Sequence, residues 1–217
     1  MRNIIGHYDN KYFSWQGENN KFGAKANKFM FEKLIKKKQR ILDFGCSSGA
    51  YLNEYKNIKK YGVEVNPFAR EIAIKNGINC YSSSDELPDN FFDLIISSNV
   101  LEHTENPLKE LNNLYKSLKP NGHICIVVPI DNKSYPYKKN DIHFHLFSWS
   151  PMNLGNILNA AGFDVIESKT LYHKWIPKYE LFVKIFGWKF FHVISIIYAH
   201  LRRDWFQVRA IAIKKTN

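Results

Sequence analysis

Short apolar runs and longer stretches with apolar residues at helical spacing follow one another along this 217-residue chain. The run at 92–97 is nearly continuous, as in a strand that is buried on both faces of a parallel sheet. Because strands and helices alternate, we expect an α/β protein with a doubly wound sheet. The pattern predicts a first strand that ends at 42 and further strands at 60–65, 78–81, 92–97, 124–128, 163–166 and 206–213. It predicts helices at 24–37, 51–55, 68–75, 101–119 and 152–161.

Turn and capping residues mark several of these ends. Asn66 suits the N-cap of a helix, with Pro67 at its first position, and Ser150-Pro151 starts another helix in the same way. Pro120-Asn121-Gly122 is expected to stop the helix before it, and Gly162 to close the helix at 152–161.

The domain organisation that follows is a single domain, since 217 residues can bury one full core. We expect a lid segment at 1–23, which is rich in aromatic and polar residues, and a cofactor-binding core at 24–172. A helical insertion at 173–204 and the last strand at 205–217 complete the chain. Residues 1–23 fit loose packing on the domain as well as they fit a lid.

The insertion is unusual because its stretch from Trp175 to Arg203 is dense in aromatic and β-branched residues. Lysines interrupt its apolar run, which argues against a spanning helix. Lysines at the edges and nearby tryptophans are typical of an interfacial membrane helix, so peripheral membrane contact is one alternative. A cover over a substrate pocket, or the contact face of a homodimer, would show the same composition.

Composition adds a strong positive charge, formally +11 with a pI near 9.4. This balance favours an acidic partner such as nucleic acid, anionic lipid or a phosphorylated small molecule, although a lysine-rich surface has the same charge. Cys46, Cys80 and Cys125 lie in or beside apolar runs and are interpreted as buried thiols. The first residues do not resemble a signal peptide, so we expect a cytoplasmic protein, with the inner membrane face as an alternative location.

The most informative stretch is 40–52, RILDFGCSSGAYL, where a short strand runs into a glycine turn. Glycines there allow a ligand to approach the backbone closely. The turn lacks the lysine of a phosphate-binding loop. Glu64 follows at about the 20-residue distance at which dinucleotide folds place an acid for ribose hydroxyls. Asp43 would repel a pyrophosphate, so the two acids favour a nucleoside without one.

These residues resemble motif I of the class I S-adenosylmethionine-dependent methyltransferases. The resemblance continues through 93–103, DLIISSNVLEH, and 118–129, LKPNGHICIVVP, which are similar to the fourth-strand and fifth-strand blocks of that family. It implies a Rossmann-like seven-stranded sheet, mostly parallel with an antiparallel last strand, and S-adenosyl-L-methionine as the cofactor, with S-adenosyl-L-homocysteine as the product. Ser47 stands where the family usually has Gly, which would place the loop slightly further from the cofactor.

The resemblance also implies positions that contact the cofactor. The methionine end is assigned to the glycine turn, the ribose to the acid after the second strand, and the adenine to the loop after the third strand, where Ser83 and Asp85 are alternatives. The residues carried over are Asp43, Gly45, Cys46, Gly49, Glu64, Val65, Ser83, Asp85, Ser98 and Asn99.

Methyl transfer from a sulfonium needs a positioned acceptor and a group that takes its proton. The block 143–148, HFHLFS, resembles a segment that follows the fifth strand in small-molecule and glycan methyltransferases. His143 is the first candidate for the base, with His145 and His103 as rivals. No metal is expected, since paired carboxylates with His at ligand spacing are missing from the sequence pattern.

The leading hypothesis is therefore O-methylation of a polar small molecule, such as a sugar, a sugar nucleotide or a phosphorylated precursor of a surface glycan. An RNA- or DNA-directed methyltransferase fits the charge, but the fourth strand ends in SSNVLEH, without the Pro-Pro-aromatic turn used on flipped adenines. A non-catalytic module of the same fold is the third alternative, and the intact Asp43 and Glu64 argue against it.

Overall fold

A seven-stranded sheet in the order β3-β2-β1-β4-β5-β7-β6 organises the chain. The structure is a computed structural model that describes residues 20–131, 136–139 and 141–216, so nearly all of the lid expected at 1–23 lies outside the described residues. The strands are β1 (Arg40–Phe44), β2 (Lys59–Val63), β3 (Asn79–Tyr81), β4 (Phe92–Ser98), β5 (Leu118–Ile130), β6 (Asp164–Leu171) and β7 (Phe206–Ile213).

Strands β1 to β5 are parallel, whereas β7 runs antiparallel to both β5 and β6. The expected mostly parallel sheet with an antiparallel last strand is thus confirmed. The chain winds outward from β1 to β3, returns to β4 beside β1, and winds the other way. Ligands bind at such a reversal, outside the carboxyl ends of the strands, which places the candidate site beyond β1 and β4.

Helices cover the sheet and fill the connections. They are α1 (Asn20–Ala26), α2 (Ala50–Asn53), α3 (Pro67–Lys75), α4 (Pro107–Ser117), α5 (Pro151–Ala160) and α6 (Tyr179–Arg202), with short 3-10 turns at Lys28–Met30, Glu32–Leu34, Ser84–Glu86 and Leu101–His103. The caps confirm the sequence signals: Asn66 Oδ1 accepts from the backbone N–H of Phe68 at 2.9 Å, and Ser150 forms a capping box with Asn153.

Two helices differ from their predicted bounds by more than two residues. The helix predicted at 24–37 is α1 followed by two 3-10 turns, and these tighter turns bury the consecutive side chains of Met30 and Phe31. The helix predicted at 101–119 begins only at Pro107, because Asn106 caps it by accepting from Lys109 N at 3.0 Å. Proline at the first position has no N–H to continue an earlier helix.

Strand bounds differ mainly in length. β5 begins at Leu118 and contains the predicted stop at 120–122, with an irregular register against β4 between Phe92 and Leu94. Asn121 adopts a φ of 61° and donates its N–H to the carbonyl oxygen of Lys214, directly after β7, at 2.7 Å. This hydrogen bond stabilises the irregular part of β5, which resembles a β-bulge. β6 extends to Leu171, beyond its predicted end at 166, because β7 pairs with it along that length.

The core lies on both faces of the sheet. One cluster, including Leu111, Leu114 and Phe163, packs α4 and α5 on one face. The second, including Met30, Leu52 and Ala73, packs the 3-10 turns, α2 and α3 on the other. Both layers hold the carboxyl ends of the central strands in fixed positions, and the functional residues follow those ends.

Candidate active site

The glycine turn after β1 is held by the neighbouring strand. The backbone N–H groups of Gly45 and Cys46 both donate to Val63 O, at 2.9 and 3.0 Å. Gly45, Ser47 and Gly49 have φ values of 81°, 48° and 76°. Glycine adopts this left-handed region without strain, whereas Ser47 adopts it at a cost. The departure from the family pattern at Ser47 therefore keeps the left-handed backbone that glycine usually supplies.

Neighbouring side chains explain why two of these positions need glycine. A Cβ on Gly45 would overlap Val100 Cγ2, which follows β4, and a Cβ on Gly49 would overlap Ile78 Cγ1. The turn is therefore packed directly against the residues after β4 and before β3. Because Val100 follows Ser98 and Asn99, this packing also brings the end of β4 against the turn.

Glu64 joins the turn to the end of β2. Its Oε2 accepts from Ser47 N and its Oε1 from Asn66 N, both at 2.9 Å. Burial raises the pKa of Glu64, while these amide donors and the charge of Arg70 oppose that rise. Each carboxylate oxygen keeps a further lone pair, so the group can still accept from ribose hydroxyls. The adjacent Val65 is 45% exposed and offers an apolar surface beside it.

Asp43 is buried at the end of β1. Its carboxylate accepts no hydrogen bond from the described part of the chain. Burial, and then the negative charge of Glu64, raise the pKa of Asp43 to about 7. A buried carboxyl without a donor is costly when ionised, so a ligand with a positive or N–H group would favour its charged form.

Cys46 lies in the turn, but its side chain points to the neighbouring strands. Cys46 Sγ is 3.5 Å from Cys80 Sγ, and a Cβ on Gly62 would overlap it. Cys46 and Cys125 are buried, Cys80 is half-buried, and none of the three forms a disulfide. A cofactor contact of Cys46 would therefore come from its backbone.

The two alternatives in the loop after β3 differ in their partners. Asp85 Oδ2 accepts from Lys109 Nζ and its Oδ1 from Asn113 Nδ2, both at 2.9 Å, so α4 holds this exposed carboxylate. The hydrogen bond from Lys109 lowers the pKa of Asp85. Ser83 Oγ accepts from Asp85 N at 3.1 Å as the cap of the 3-10 turn. Ser83 Oγ also donates to Asp85 Oδ2 at 3.3 Å, so both side chains have partners within the protein, and Ser83 and Asp85 stay alternatives for the adenine contact.

Ser98 and Asn99 end β4 beside the glycine turn. Asn99 is exposed and adopts φ of 55°, and its N–H donates to Val127 O at 2.8 Å. Gln207 Nε2 on β7 donates to Asn99 Oδ1 at 3.1 Å. Two neighbouring elements thus hold Asn99 at the carboxyl edge, and its contact with the cofactor stays a prediction.

The three candidate histidines form one cluster at the same edge. The rings of His103 and His145 lie 5.0 Å apart between centroids, and those of His143 and His145 lie 5.5 Å apart. His145 Nδ1 and Asp131 Oδ1 are 2.8 Å apart, so a carboxylate orients this imidazole. Burial, and then the charge of His145, lower the pKa of His143. A neutral imidazole is the form that can accept a proton.

Glu102 is the buried acid of this cluster. It is fully buried, and burial raises its pKa to about 8. His103 Nε2 lies 3.7 Å from Glu102 Oε1. The backbone N–H of Leu146 donates to Glu102 O at 2.8 Å, so the segment after β5 is fixed to the turn after β4. The sequence reasoning missed Glu102 and Asp131, although both follow strand ends, the signal that identified the histidines.

The residues at the glycine turn fit the expected cofactor. Asp43 is a buried carboxyl group whose ionised form the ammonium of S-adenosylmethionine would stabilise, and Glu64 accepts hydrogen bonds beside the turn, as a contact to a ribose requires. Ser47 Oγ is buried and has no hydrogen-bond partner in the described residues. A bound polar group would satisfy that hydroxyl, which otherwise costs free energy.

Comparison with known proteins agrees with this geometry. A family model described as a methyltransferase domain matches residues 15–168. An uncharacterised Methanocaldococcus jannaschii protein is 29% identical over 158 residues, which are 68% of each chain. Phosphoethanolamine N-methyltransferase 3 of Arabidopsis thaliana is 28% identical across 68% of this chain. The chain spans about a third of that plant enzyme, since the match covers 34% of its length.

Solved structures share the fold. A Thermotoga maritima S-adenosylmethionine-dependent methyltransferase superimposes with a TM-score of 0.68 at 19% identity, over 98% of this chain and 100% of that chain. Haemonchus contortus phosphoethanolamine N-methyltransferase 2, solved with phosphomonomethylethanolamine and S-adenosylhomocysteine, gives 0.62 at 15% identity over 94% of this chain and 59% of that chain. The chain belongs to the methyltransferase-domain family, among the class I S-adenosylmethionine-dependent methyltransferases.

Proposed function

We propose that this methyltransferase acts on an oxygen of a small polar acceptor that carries a sugar or a phosphate group. The observation that carries the proposal is the position of the histidine cluster at the same sheet edge as Asp43 and Glu64. An acceptor between the two groups of residues would meet the methyl donor on one side and imidazoles on the other. The formal charge of +11 favours an anionic acceptor.

Each group of residues has a distinct role in this proposal. S-adenosylmethionine supplies a methyl group that its sulfonium already activates. Glu64 orients the ribose, Asp43 balances the ammonium, and Asn99 lines the edge after β4. His143 is the group that takes the acceptor's proton, with the Asp131–His145 pair beside it. Holding the acceptor in line with the methyl group can lower the barrier of such a reaction by about 7–11 kcal/mol.

A second candidate is methylation of a nitrogen in a phosphorylated amine. It is supported by the match to phosphoethanolamine N-methyltransferases of Arabidopsis thaliana, at 28% and 29% identity. Such an acceptor shares the phosphate and the small size of the leading candidate. The two differ in the atom that is methylated, which the product identifies directly.

The test is a screen of acceptors with the purified chain and labelled S-adenosylmethionine. Sugars, sugar nucleotides, phosphorylated sugars and phosphorylated amines form the panel, and mass spectrometry locates the methyl group. We expect transfer to a sugar-like or phosphorylated oxygen acceptor, reduced in Glu64→Ala at limiting S-adenosylmethionine and retained in the exposed-site control Glu71→Ala. Methylation of nitrogen alone would select the second candidate, and transfer to none of these classes would refute both.

Methylation of RNA remains the alternative from a different substrate class. Phosphate contacts give a steep dependence of affinity on salt, with a slope near the number of phosphates contacted. Binding of the chain to structured RNA, measured across a salt series, distinguishes an RNA substrate from a small-molecule substrate. For a small-molecule methyltransferase we expect weak RNA binding whose affinity depends little on salt. Tight, steeply salt-dependent binding with methyl incorporation into RNA would replace the small-molecule proposal.

A further inference from the structure

A buried carboxyl group, with no hydrogen-bond partner among the described residues, lies among the clustered histidines. Glu102 is 0% exposed, and neither of its side-chain oxygens has a hydrogen-bond partner within the described ranges. Leaving such a group unsatisfied costs a substantial free energy. A bound cation is one of the few partners that resolves two orphaned carboxylate oxygens at once.

The geometry around Glu102 suits a metal ion. Ligand atoms of Glu102, His103 and His145 all lie within 4.8 Å of one another, and His103 Nε2 is 3.7 Å from Glu102 Oε1. Nitrogen and oxygen ligands at about 2.0–2.2 Å from a metal lie up to about 4.2 Å apart. Side-chain shifts below about one ångström therefore bring all three onto one ion.

The surroundings fix these ligands in place. His145 Nδ1 pairs with Asp131 Oδ1 at 2.8 Å, which leaves the other ring nitrogen for a metal. Metal-bound histidines usually have such a carboxylate partner, which orients the ring and sets its tautomer. The hydrogen bond of 2.8 Å from Leu146 N to Glu102 O ties the two ligand segments together.

We propose that Glu102, His103 and His145 bind one divalent transition-metal ion, oriented by Asp131, in place of the metal-free site expected from the sequence. Two imidazoles and a carboxylate, without a thiolate, suit Mn²⁺, Fe²⁺, Co²⁺ or Zn²⁺ better than Mg²⁺ or Ca²⁺. Three protein ligands leave positions open for an exogenous oxygen. Resting on the proposed function, we infer that a hydroxyl or phosphate oxygen of the acceptor takes such a position, where the ion lowers the pKa of a hydroxyl.

Metal binding is measured on the chelator-stripped full chain, without cofactor or acceptor, so failure of the proposed function does not affect the result. Mn²⁺ titration followed by electron paramagnetic resonance should show one site per chain. Glu102→Gln and His145→Ala should weaken it at least about a hundredfold, and Asp131→Asn about 10–100-fold. The histidine control His200→Ala, on the exposed end of α6, should bind as the wild type does.

Co²⁺ spectra exclude the other soft site, the thiol pair Cys46 and Cys80. A histidine and carboxylate site gives weak visible bands, whereas thiolate coordination adds a strong ultraviolet charge-transfer band. Absence of stoichiometric Mn²⁺ binding, binding that is equal in the wild type and Glu102→Gln, or a thiolate band would each overturn the assignment. Thermal unfolding of each variant, compared with the wild type, confirms that the ligands were removed from a folded chain.

An independent observation concerns the outer face of α6. Its inner face buries Phe191, Ser195 and Ala199, while its outer face leaves large apolar side chains exposed. A contiguous row of exposed apolar side chains marks an interaction surface. The helical path is broken at Gly187, with φ of 78° and ψ of 172°. After this kink the outer face comprises Phe190, Val193, Ile197 and Leu201, which are 49–76% exposed, and Leu181, Ile185 and Phe186 before the kink are exposed as well.

The connections of α6 show how it would meet a membrane. By length and composition alone α6 could cross one, with a mean hydropathy of 1.5. Its two ends, however, lead to β6 and β7, which pair through Leu171 and Gln207. Lys174 N donates to Ser195 O at 3.2 Å, so the middle of the helix is attached to the domain. A helix held in this way lies on a surface and does not span it.

Basic residues surround the apolar stripe and select the kind of surface. Exposed cations stand before, within and after the helix, at Lys178, Lys184, Lys189, Arg202 and Arg203. Such cations attract anionic lipid headgroups, and the half-exposed Trp205 is a side chain typical of the membrane interface. We propose that the outer face of α6 docks on an anionic lipid bilayer, with its apolar stripe in the headgroup boundary.

Flotation of the full chain with vesicles tests this surface. We expect binding to phosphatidylglycerol-containing vesicles and at least about tenfold weaker binding to phosphatidylcholine alone. Each lysine near an anionic surface contributes about 1 kcal/mol, so Lys184→Gln with Lys189→Gln should weaken binding roughly 30-fold. Phe190→Glu with Ile197→Glu should abolish it, whereas the matched control Ile74→Glu, at an exposed site on α3, should not.

The competing occupant is a second copy of the chain. Light scattering of the same variants distinguishes a lipid surface from a second copy of the chain. If the wild type is a dimer and the double variant Phe190→Glu with Ile197→Glu is a monomer, the lipid proposal is overturned. Failure to bind anionic vesicles at low salt would overturn it as well. A monomer that binds anionic vesicles supports it.

Discussion

The carboxylate of Glu64 is held by amides from two different segments, Ser47 from the glycine turn and Asn66 from the cap of α3, both at 2.9 Å. The residue therefore has a structural role as well as its proposed role at the ribose. A substitution separates the two, because cofactor affinity and unfolding free energy are measured independently.

We expect Glu64→Ala to weaken S-adenosylmethionine binding by about 1.5–3 kcal/mol, the range for losing hydrogen bonds to a charged group. Loss of the two amide acceptors should also lower the free energy of unfolding by about 1–3 kcal/mol, with the fold retained. Calorimetric titration and urea unfolding give the two values. Glu71→Ala, on the exposed face of α3, is the control. Unchanged affinity in a folded Glu64→Ala would refute the ribose assignment.

Asp43 should make stability depend on pH. Its pKa is raised to about 7, so folded Asp43 keeps a proton that the unfolded chain releases near pH 4. The wild type should then lose stability as pH rises from about 4 to 7. The side chain in Asp43→Asn does not ionise, so across that pH window the free energy of unfolding of this variant should rise relative to that of the wild type. The difference should reach about 4 kcal/mol above pH 7.

Urea unfolding at pH 5 and pH 8 measures that gain, with the exposed Asp89→Asn as control. The same carboxyl predicts that S-adenosylmethionine, whose ammonium favours ionised Asp43, binds more tightly as pH rises through 7 and releases a proton. Titration in buffers of different ionisation enthalpy detects that proton. Equal stability of the wild type and Asp43→Asn at both pH values would show that Asp43 is not a buried acid.

At the scale of elements, the sequence predicted the central strands because their apolar runs are unambiguous. It misplaced the helix at 24–37 because apolar residues at helical spacing also fit a series of 3-10 turns, and the deciding contact, the burial of Met30 and Phe31 on the sheet, is long-range. It overextended the helix at 101–119 because the cap at Asn106 was not recognised. Capping residues marked the starts at Asn66 and Ser150 correctly, whereas the predicted helix stop at 120–122 lies inside β5.

The fit between the glycine turn and the end of β4 is another property of elements that the sequence did not reveal. The sequence suggested that Gly45 leaves room for the cofactor, whereas a Cβ there would overlap Val100 within the protein itself. Gly77 offers a matched comparison: its φ of 83° is close to the 81° of Gly45, but a Cβ on Gly77 would meet nothing within 4 Å.

We therefore expect Gly77→Ala to cost about 1–2 kcal/mol of stability, the price of a left-handed alanine. Gly45→Ala should cost about 1–3 kcal/mol more, from overlap with Val100. Adding Val100→Ala should relieve the overlap, so that the double variant is more stable than the sum of the single effects. Chemical unfolding of the four chains measures the coupling. Equal costs at both glycines would contradict the packing explanation.

At the scale of the whole molecule, the sheet topology brings the site together. The turn after β1, the segment after β4 and the loop after β5 are far apart in sequence, and the reversal of strand order places all three at one edge. The sequence identified the single residues because each follows a strand. It could not show that Glu102 is buried against the histidines, because that contact depends on how the loop at 141–148 folds back.

The catalytic prediction depends on this assembly. We expect His143→Ala to lower kcat by about 10²–10⁴-fold, the usual contribution of a positioned base, while S-adenosylmethionine affinity stays near that of the wild type. The imidazole lies beside His145, with ring centroids 5.5 Å apart, and His143 is not among the residues assigned to the cofactor. Added imidazole should restore part of the turnover of His143→Ala. The matched variant His123→Ala, on β5, should keep both kcat and cofactor affinity.

The acceptor decides how this result is interpreted, so the acceptor screen comes first. With a hydroxyl acceptor the loss should fall on kcat, because proton removal is part of the chemical step. An acceptor oxygen that is already ionised needs no base, and His143→Ala would then raise KM with little change in kcat. Unchanged kcat and KM with a hydroxyl acceptor, or a parallel loss of cofactor affinity, would rule out His143 as the base. The Asp131–His145 pair, fixed at 2.8 Å, is then the next group to test at the same edge.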